Sequence, residues 1–143
     1  MSQLSTSPAR VSVQRRIEWI DTDAAGIYHW TTACRLAEAA EAVLHTALGI
    51  ERFTFGATPR VAVELNFRRS LRFNDVVDVE LRVDHVGRSS VRYAIAIGGP
   101  DGLAVDGMLT ACLVDRGTGT ATAWPDEIRQ AFLTAGPQAE LSC

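Results

Sequence analysis

Asp21-Thr22-Asp23-Ala24-Ala25-Gly26-Ile27-Tyr28-His29-Trp30 runs directly into Thr31-Thr32-Ala33-Cys34-Arg35-Leu36-Ala37-Glu38-Ala39-Ala40-Glu41-Ala42-Val43-Leu44-His45-Thr46-Ala47-Leu48-Gly49. The second stretch reads as one helix over residues 30–48, ended by Gly49, with Ala33, Ala37, Ala40, Leu44 and Leu48 recurring at helical spacing. So many small side chains allow the helix axis to approach a sheet closely, which predicts a buried helix rather than a peripheral one. The first stretch puts two carboxylates and a glycine just ahead of that helix. A carboxylate is thereby held within a few residues of the free N–H groups of a first helical turn, whose positive potential suits a developing oxyanion. An Asp-rich turn that merely caps the helix is the plainer reading, and residue type alone favours it.

Outward from this stretch the hydrophobic period changes from 3.6 to 2. Residues 11–20 can form a strand. Val61, Val63, Leu65 and Phe67 alternate with Ala62, Glu64, Asn66 and Arg68; Val77, Val79, Leu81 and Val83 alternate with Asp78, Glu80, Arg82 and Asp84. Gly87-Arg88 turns the chain into Val91, Tyr93, Ile95 and Ile97, and Gly98-Gly99-Pro100-Asp101-Gly102 turns it into a strand over 103–114. Arg116-Gly117-Thr118-Gly119 then turns into a last strand ending at Trp124-Pro125, followed by a short helix over 126–133. The expectation is an α+β domain in which a five- or six-stranded antiparallel sheet wraps one long central helix. Such a sheet has one covered face and open edges, which invites a second subunit.

The bulk properties narrow the function. The 143 residues with 47% hydrophobic composition suit a single domain, expected over 11–135, with a Ser-rich disordered head over 1–10 and a flexible tail over 136–143. Net charge is -3 and every basic residue is arginine, scattered rather than clustered, which argues against a nucleic-acid partner. Cys34, Cys112 and Cys143 stand apart, without metal spacing, and read as free thiols with Cys143 in the tail. With no apolar h-region and no run of 18 apolar residues, the reading is a soluble cytoplasmic protein without membrane contact.

Taken together these segments resemble a hotdog-fold acyl-CoA thioesterase of the 4-hydroxybenzoyl-CoA thioesterase type, over residues 13–133. The Asp21-Thr22-Asp23-Ala24-Ala25-Gly26 run carries the resemblance, with Glu38 at the matching distance in the helix. Val61-Ala62-Val63-Glu64-Leu65-Asn66-Phe67, Phe73-Asn74-Asp75 and His85-Val86-Gly87-Arg88-Ser89-Ser90-Val91 support it by order and spacing. The resemblance implies Asp23 as catalytic nucleophile or general base and the Trp30 backbone amide as oxyanion donor. It also implies Gly26, Tyr28 and His29 at the substrate, and Arg88, Ser89 and Ser90 near the coenzyme A phosphates. No metal and no cofactor are implied; the substrate is an acyl-CoA or acyl carrier protein thioester, and the assembly is a homodimer at least, extended to a homotetramer. This chain departs from several relatives in two places: Trp30 stands where they carry histidine, with His29 one place earlier, and Ser70 stands where proline is common.

Each candidate has a structural alternative. Asp21 reads as a cap or brace for the turn. Glu38 is the second choice for the catalytic carboxylate, since some hotdog thioesterases take theirs from the long helix. Glu38 and Glu41 sit on a helix expected to be buried, and Glu41 and His45, four apart, can pair along one face. His29 is either a wall of the site or a packed or exposed side chain. Trp19 and Trp124 read as core or interface residues, and Arg68, Arg69 and Arg72 as a solvated strand edge. Alternative functions on this fold are an acyl-thioester dehydratase or hydratase, which needs an Asp and His pair, and a non-catalytic acyl-thioester binding subunit.

Overall fold

A computed structural model describes residues 6–141. Six strands form one sheet: β1 (Ser7–Arg16), β2 (Arg60–Phe67), β3 (Val76–Val86), β4 (Ser90–Gly99), β5 (Gly102–Cys112) and β6 (Ala135–Gln138), in the spatial order β2-β5-β4-β3-β1-β6. The long helix α1 (Thr31–Ala47) lies across β1 and β3, followed by one short turn of helix, α2 (Glu51–Thr54). Helix α3 (Asp126–Thr134) packs beside it over β1, β3 and β6.

The period-2 segments supply the inward face. Val77, Val79, Leu81 and Val83 of β3, Val91, Tyr93, Ile95 and Ile97 of β4, and Val11 and Val13 of β1 are buried together with Ala33, Leu36, Ala37, Ala40 and Leu44 of α1. Each fully buried Leu or Val contributes about 1.5–3 kcal/mol relative to exposure, so this layer carries the fold. The alanines bring α1 down onto the sheet as their spacing predicts. At the sheet's far edge the packing runs out: β2 is exposed along most of its length, with Val61 at 61%, Val63 at 50% and Phe67 at 47% exposure.

Three expectations are corrected. The sheet is mixed rather than wholly antiparallel, because β6 emerges from α3 running alongside β1 in the same direction. Ala135-Gly136-Pro137-Gln138 has no strand-forming side chains, and Pro137 is tolerated there because β6 is an edge. The last strand towards Trp124 is reduced to a single bridge between Val114 and Ala121. Its chain is diverted by the buried Trp124 indole, whose Nε1–H donates to the Ser90 carbonyl at 2.9 Å. Finally, β1 begins at Ser7, so Ser7 to Arg10, read from sequence as head, are strand paired with β3 and β6. Residues 1–5 of that head, and Cys143, lie outside the described residues. Cys34 and Cys112 are free thiols.

Candidate active site

Residues 22–30 form a loop pinned at both ends. Ile27 bridges to Arg72 and the Tyr28 N–H donates to the Leu71 carbonyl at 2.8 Å, which anchors the loop beside the start of β3. Gly26 provides the bend with φ +79°, a conformation that an L side chain resists, and its N–H closes the turn onto the Asp23 carbonyl at 3.0 Å.

The two carboxylates have opposite surroundings. Asp21 is 4% exposed and fully committed: Arg35 grips it with Nη2 at 2.7 Å and Nε at 3.0 Å, and the Glu18 N–H donates to it at 2.8 Å. Its carbonyl accepts from the His29 N–H and the Thr32 hydroxyl, which ties the loop to the first turn of α1. Asp21 is therefore the brace. Asp23 is exposed, with Oδ1 accepting the Ala25 N–H at 2.8 Å, while Oδ2 has no partner among the described residues. One oxygen orients the group and the other is available to a carbonyl carbon or a water.

The helix start leaves one donor open. The His29 N–H goes to Asp21, the Thr31 N–H to His29 Nδ1 at 3.3 Å, and the Thr32 N–H to the His29 carbonyl at 2.9 Å. Between them the Trp30 N–H has no partner among the described residues. An unpaired amide at a helix N-terminus, flanked by satisfied ones, is what an oxyanion requires. His29 itself is exposed, and its Nδ1 serves the helix start, reaching both the Thr31 N–H and the Thr31 hydroxyl. Beside Trp30 opens a cavity of about 310 Å³ lined by Tyr28, Trp30, Phe67, Arg68, Arg69 and Ser70.

The remaining candidates are placed elsewhere. Glu38 is on the exposed side of α1, not buried as expected, because the helix buries only the stripe from Thr32 to His45 that faces the sheet. Glu41 and His45 do not pair: Glu41 takes Arg60 at 2.9 Å, while His45 turns inward to the Thr54 and Tyr93 hydroxyls, both at 2.7 Å. Burial of that imidazole lowers its pKa to about 4. Trp124 is core, whereas Trp19 is 79% exposed and packs at a tilt against Phe73 at the surface. Arg68 is paired with Asp106 at 3.0 Å.

Arg88, Ser89 and Ser90 lie at the β3–β4 turn. Within one chain this turn is at the opposite end of β3 from the Asp23 loop, roughly 33 Å along an 11-residue strand. The Arg88 side chain is exposed and has no partner among the described residues. The Ser90 carbonyl braces the turn, accepting from the Gly87 N–H and from Trp124 Nε1–H. The supports that the sequence hid are Arg35, the Leu71 carbonyl and Arg129, which donates to the Gly87 carbonyl at 2.6 Å. Each comes from a remote segment and belongs to no local motif. Among the described residues no group of three His, Cys, Asp or Glu side chains is placed to hold a metal ion, and no helix is long and apolar enough to cross a membrane.

This fold and loop define a class, and comparison with known proteins agrees. The Thioesterase superfamily profile matches residues 23–103, more than half the chain, and the protein belongs to that superfamily of hydrolases. A predicted thioesterase from Bacillus stearothermophilus superposes with a TM-score of 0.79 at 18% identity, covering 87% of this chain and 94% of that one. A 1,4-dihydroxy-2-naphthoyl-CoA thioesterase from Synechocystis gives 0.77 at 14% identity, covering 86% and 95%. A thioesterase from Thermus thermophilus, solved with coenzyme A and zinc, gives 0.77 at 20% identity, covering 85% and 95%. No curated protein sequence matches the chain.

Proposed function

We propose that this protein hydrolyses acyl-CoA thioesters in the manner of the 4-hydroxybenzoyl-CoA thioesterases, with Asp23 attacking the carbonyl carbon, directly or through a water. The observation that carries this reading is the unpaired Trp30 N–H in the same short loop as the half-free Asp23 carboxylate. A thioester is already electrophilic, so a positioned carboxylate and one oxyanion donor are sufficient to lower its barrier. Coenzyme A as the carrier is supported by the names of the Synechocystis and Thermus relatives.

The proposed site needs two chains. Arg88 and Asp23 sit too far apart in one protomer to share a substrate, but the free β2 edge offers a way to join them. The Arg60 end of β2 is level with the β3–β4 turn and its Phe67 end is level with the Asp23 loop. Antiparallel pairing of two β2 edges about a two-fold axis reverses one against the other. It brings Arg88 of the partner subunit towards Asp23 and covers Val61, Val63 and Phe67. A homodimer is thus the smallest active unit in this reading, and a tetramer is two such units.

The test is release of free thiol from a panel of aromatic and aliphatic acyl-CoAs and acyl carrier protein thioesters. Asp23→Asn should lower kcat by about a hundredfold or more with the fold intact, the size expected for loss of a catalytic base or nucleophile. Near wild-type rates in Asp23→Asn together with a dead Glu38→Gln would move the catalytic role to the helix.

A further inference from the structure

The Asp23 carboxylate and the Trp30 N–H ride on different supports. Trp30 follows the arm of the loop that is held to the sheet, where the Tyr28 N–H donates to the Leu71 carbonyl at 2.8 Å. Asp23 stands on the other arm, joined to the first by the Thr22–Tyr28 bridge and by its own N–H on the Ile27 carbonyl at 3.0 Å. Those ties close a small hairpin on itself around Gly26, and leave its distance from the helix start to be set from outside. A carboxylate and an oxyanion donor that act on one carbonyl depend on that distance.

Asp21, at the root of the Asp23 arm, supplies the outside hold. Its carbonyl meets the helix start through neutral bonds, and its carboxylate meets the second turn of α1 through both Nε and Nη2 of Arg35. A two-point fork fixes angle as well as distance, which a lysine ammonium does not. A buried carboxylate that loses its cation seeks water, so without Arg35 the Asp23 arm is the part that shifts, while Tyr28 stays on Leu71. Arg35 works from outside the candidate site: it lines a second cavity, of about 300 Å³, that shares no lining residue with the one beside Trp30. Its side chain is 46% exposed, so small solutes reach the place it occupies.

We propose that Arg35 is a positioning residue for thioester hydrolysis: through Asp21 it sets the spacing between the Asp23 carboxylate and the Trp30 N–H, without touching the substrate. This rests on the proposed hydrolase reading of that pair. Its loss is felt in kcat rather than in KM, because Arg35 makes none of the contacts that hold the acyl group or its carrier. A reacting group displaced by about 1 Å costs on the order of a hundredfold in rate.

The experiment is steady-state kinetics of Arg35→Lys and Arg35→Ala on the best acyl-CoA of the panel, with and without guanidinium chloride at millimolar, non-denaturing concentration. Arg35→Lys should lower kcat by about tenfold and Arg35→Ala by about a hundredfold, with KM within about twofold of wild type in both. Guanidinium should raise kcat of Arg35→Ala by about tenfold and leave the wild type and Asp23→Asn unchanged, because it restores the fork on Asp21 and nothing else. Wild-type kcat in either variant, a KM that rises while kcat holds, or a loss in Arg35→Ala that guanidinium leaves untouched would overturn the assignment. Arg35→Lys keeps a cation beside Asp21, so it carries the test by its kcat and KM if Arg35→Ala does not fold. If the wild type cleaves no thioester of the panel, it is the hydrolase reading that fails. Hydrogen exchange of Arg35→Lys then reads the hold alone. The bonded amides of residues 23–29 should exchange about tenfold faster than in wild type with those of β3 and β4 unchanged, and equal exchange overturns the proposal.

Discussion

Asp21 and Asp23 are two residues apart and share a side-chain type, yet one is buried against Arg35 and the other is exposed with a free oxygen. Environment, not identity, separates the brace from the candidate catalytic group. The same logic applies to Arg88, exposed and without a partner among the described residues of its own chain. Arg88→Ala should raise KM for acyl-CoA by about ten- to a hundredfold with little change in kcat, because a phosphate contact far from the reacting carbon holds ground and transition states alike. Steady-state kinetics on acyl-CoA and on a short thioester lacking the nucleotide would check this; equal losses on both would make Arg88 structural. At this scale the sequence was informative wherever a role depends on neighbours in the chain. Asp23, Gly26 and Trp30 stand in one ten-residue run, so their juxtaposition could be read directly. Arg35 on Asp21 and Leu71 on Tyr28 depend on contacts across the fold, and no local spacing encodes them.

Elements are tied by buried polar groups as well as by apolar packing. His45 of α1 bridges Thr54 of α2 and Tyr93 of β4. The Thr54 hydroxyl donates to the Ile50 carbonyl at 3.2 Å, so the arrangement that satisfies every group has the proton on His45 Nδ1 and Nε2 accepting from Tyr93. The imidazole is thus neutral in the fold, with a pKa of about 4 against 6.5 in the unfolded chain. Below pH 6.5 the unfolded chain takes up a proton that the folded one refuses. Stability from this group is therefore complete above pH 6.5 and declines as pH falls towards 4, by about 3 kcal/mol in all. Denaturant titrations across this range should show the decline, and His45→Gln should flatten it; an equal decline in the variant would place the effect on other groups. Gly107 of β5 is a second such point, since a Cβ there would lie 1.9 Å from the Glu64 backbone oxygen of β2. Gly107→Ala should push β2 outward and cost about 1–3 kcal/mol, measured as a lower denaturation midpoint. Strands β3 and β4 and the alanine-striped helix were plain in sequence because their period reports burial directly, whereas β2 alternates too and yet leaves Val61, Val63 and Phe67 exposed on the free edge. β6 was not plain, because a four-residue edge containing Gly and Pro has no period to read. Residues 114–124 misled in the other direction, with strand-forming residues that yield to the anchored Trp124 indole.

The whole molecule, as one chain, is half of what the proposed function needs. One sheet edge is apolar and uncovered, and the candidate phosphate-binding arginine is a strand's length from the candidate catalytic carboxylate. Light scattering at micromolar concentration should give at least twice the 15.5 kDa of one chain, and an active monomer would end the two-chain reading. The central claim is that a thioester is cleaved between Asp23 of one subunit and Arg88 of the other, and subunit mixing tests it most directly. Asp23→Asn and Arg88→Ala proteins are each weak alone at acyl-CoA below KM. Exchanged in equal amounts, half the dimers are mixed and one of their two sites is intact, so activity should recover to about a quarter of wild type. If Asp23 and Arg88 of the same chain served one site, or neither served the reaction, mixing would yield only the average of the two variants.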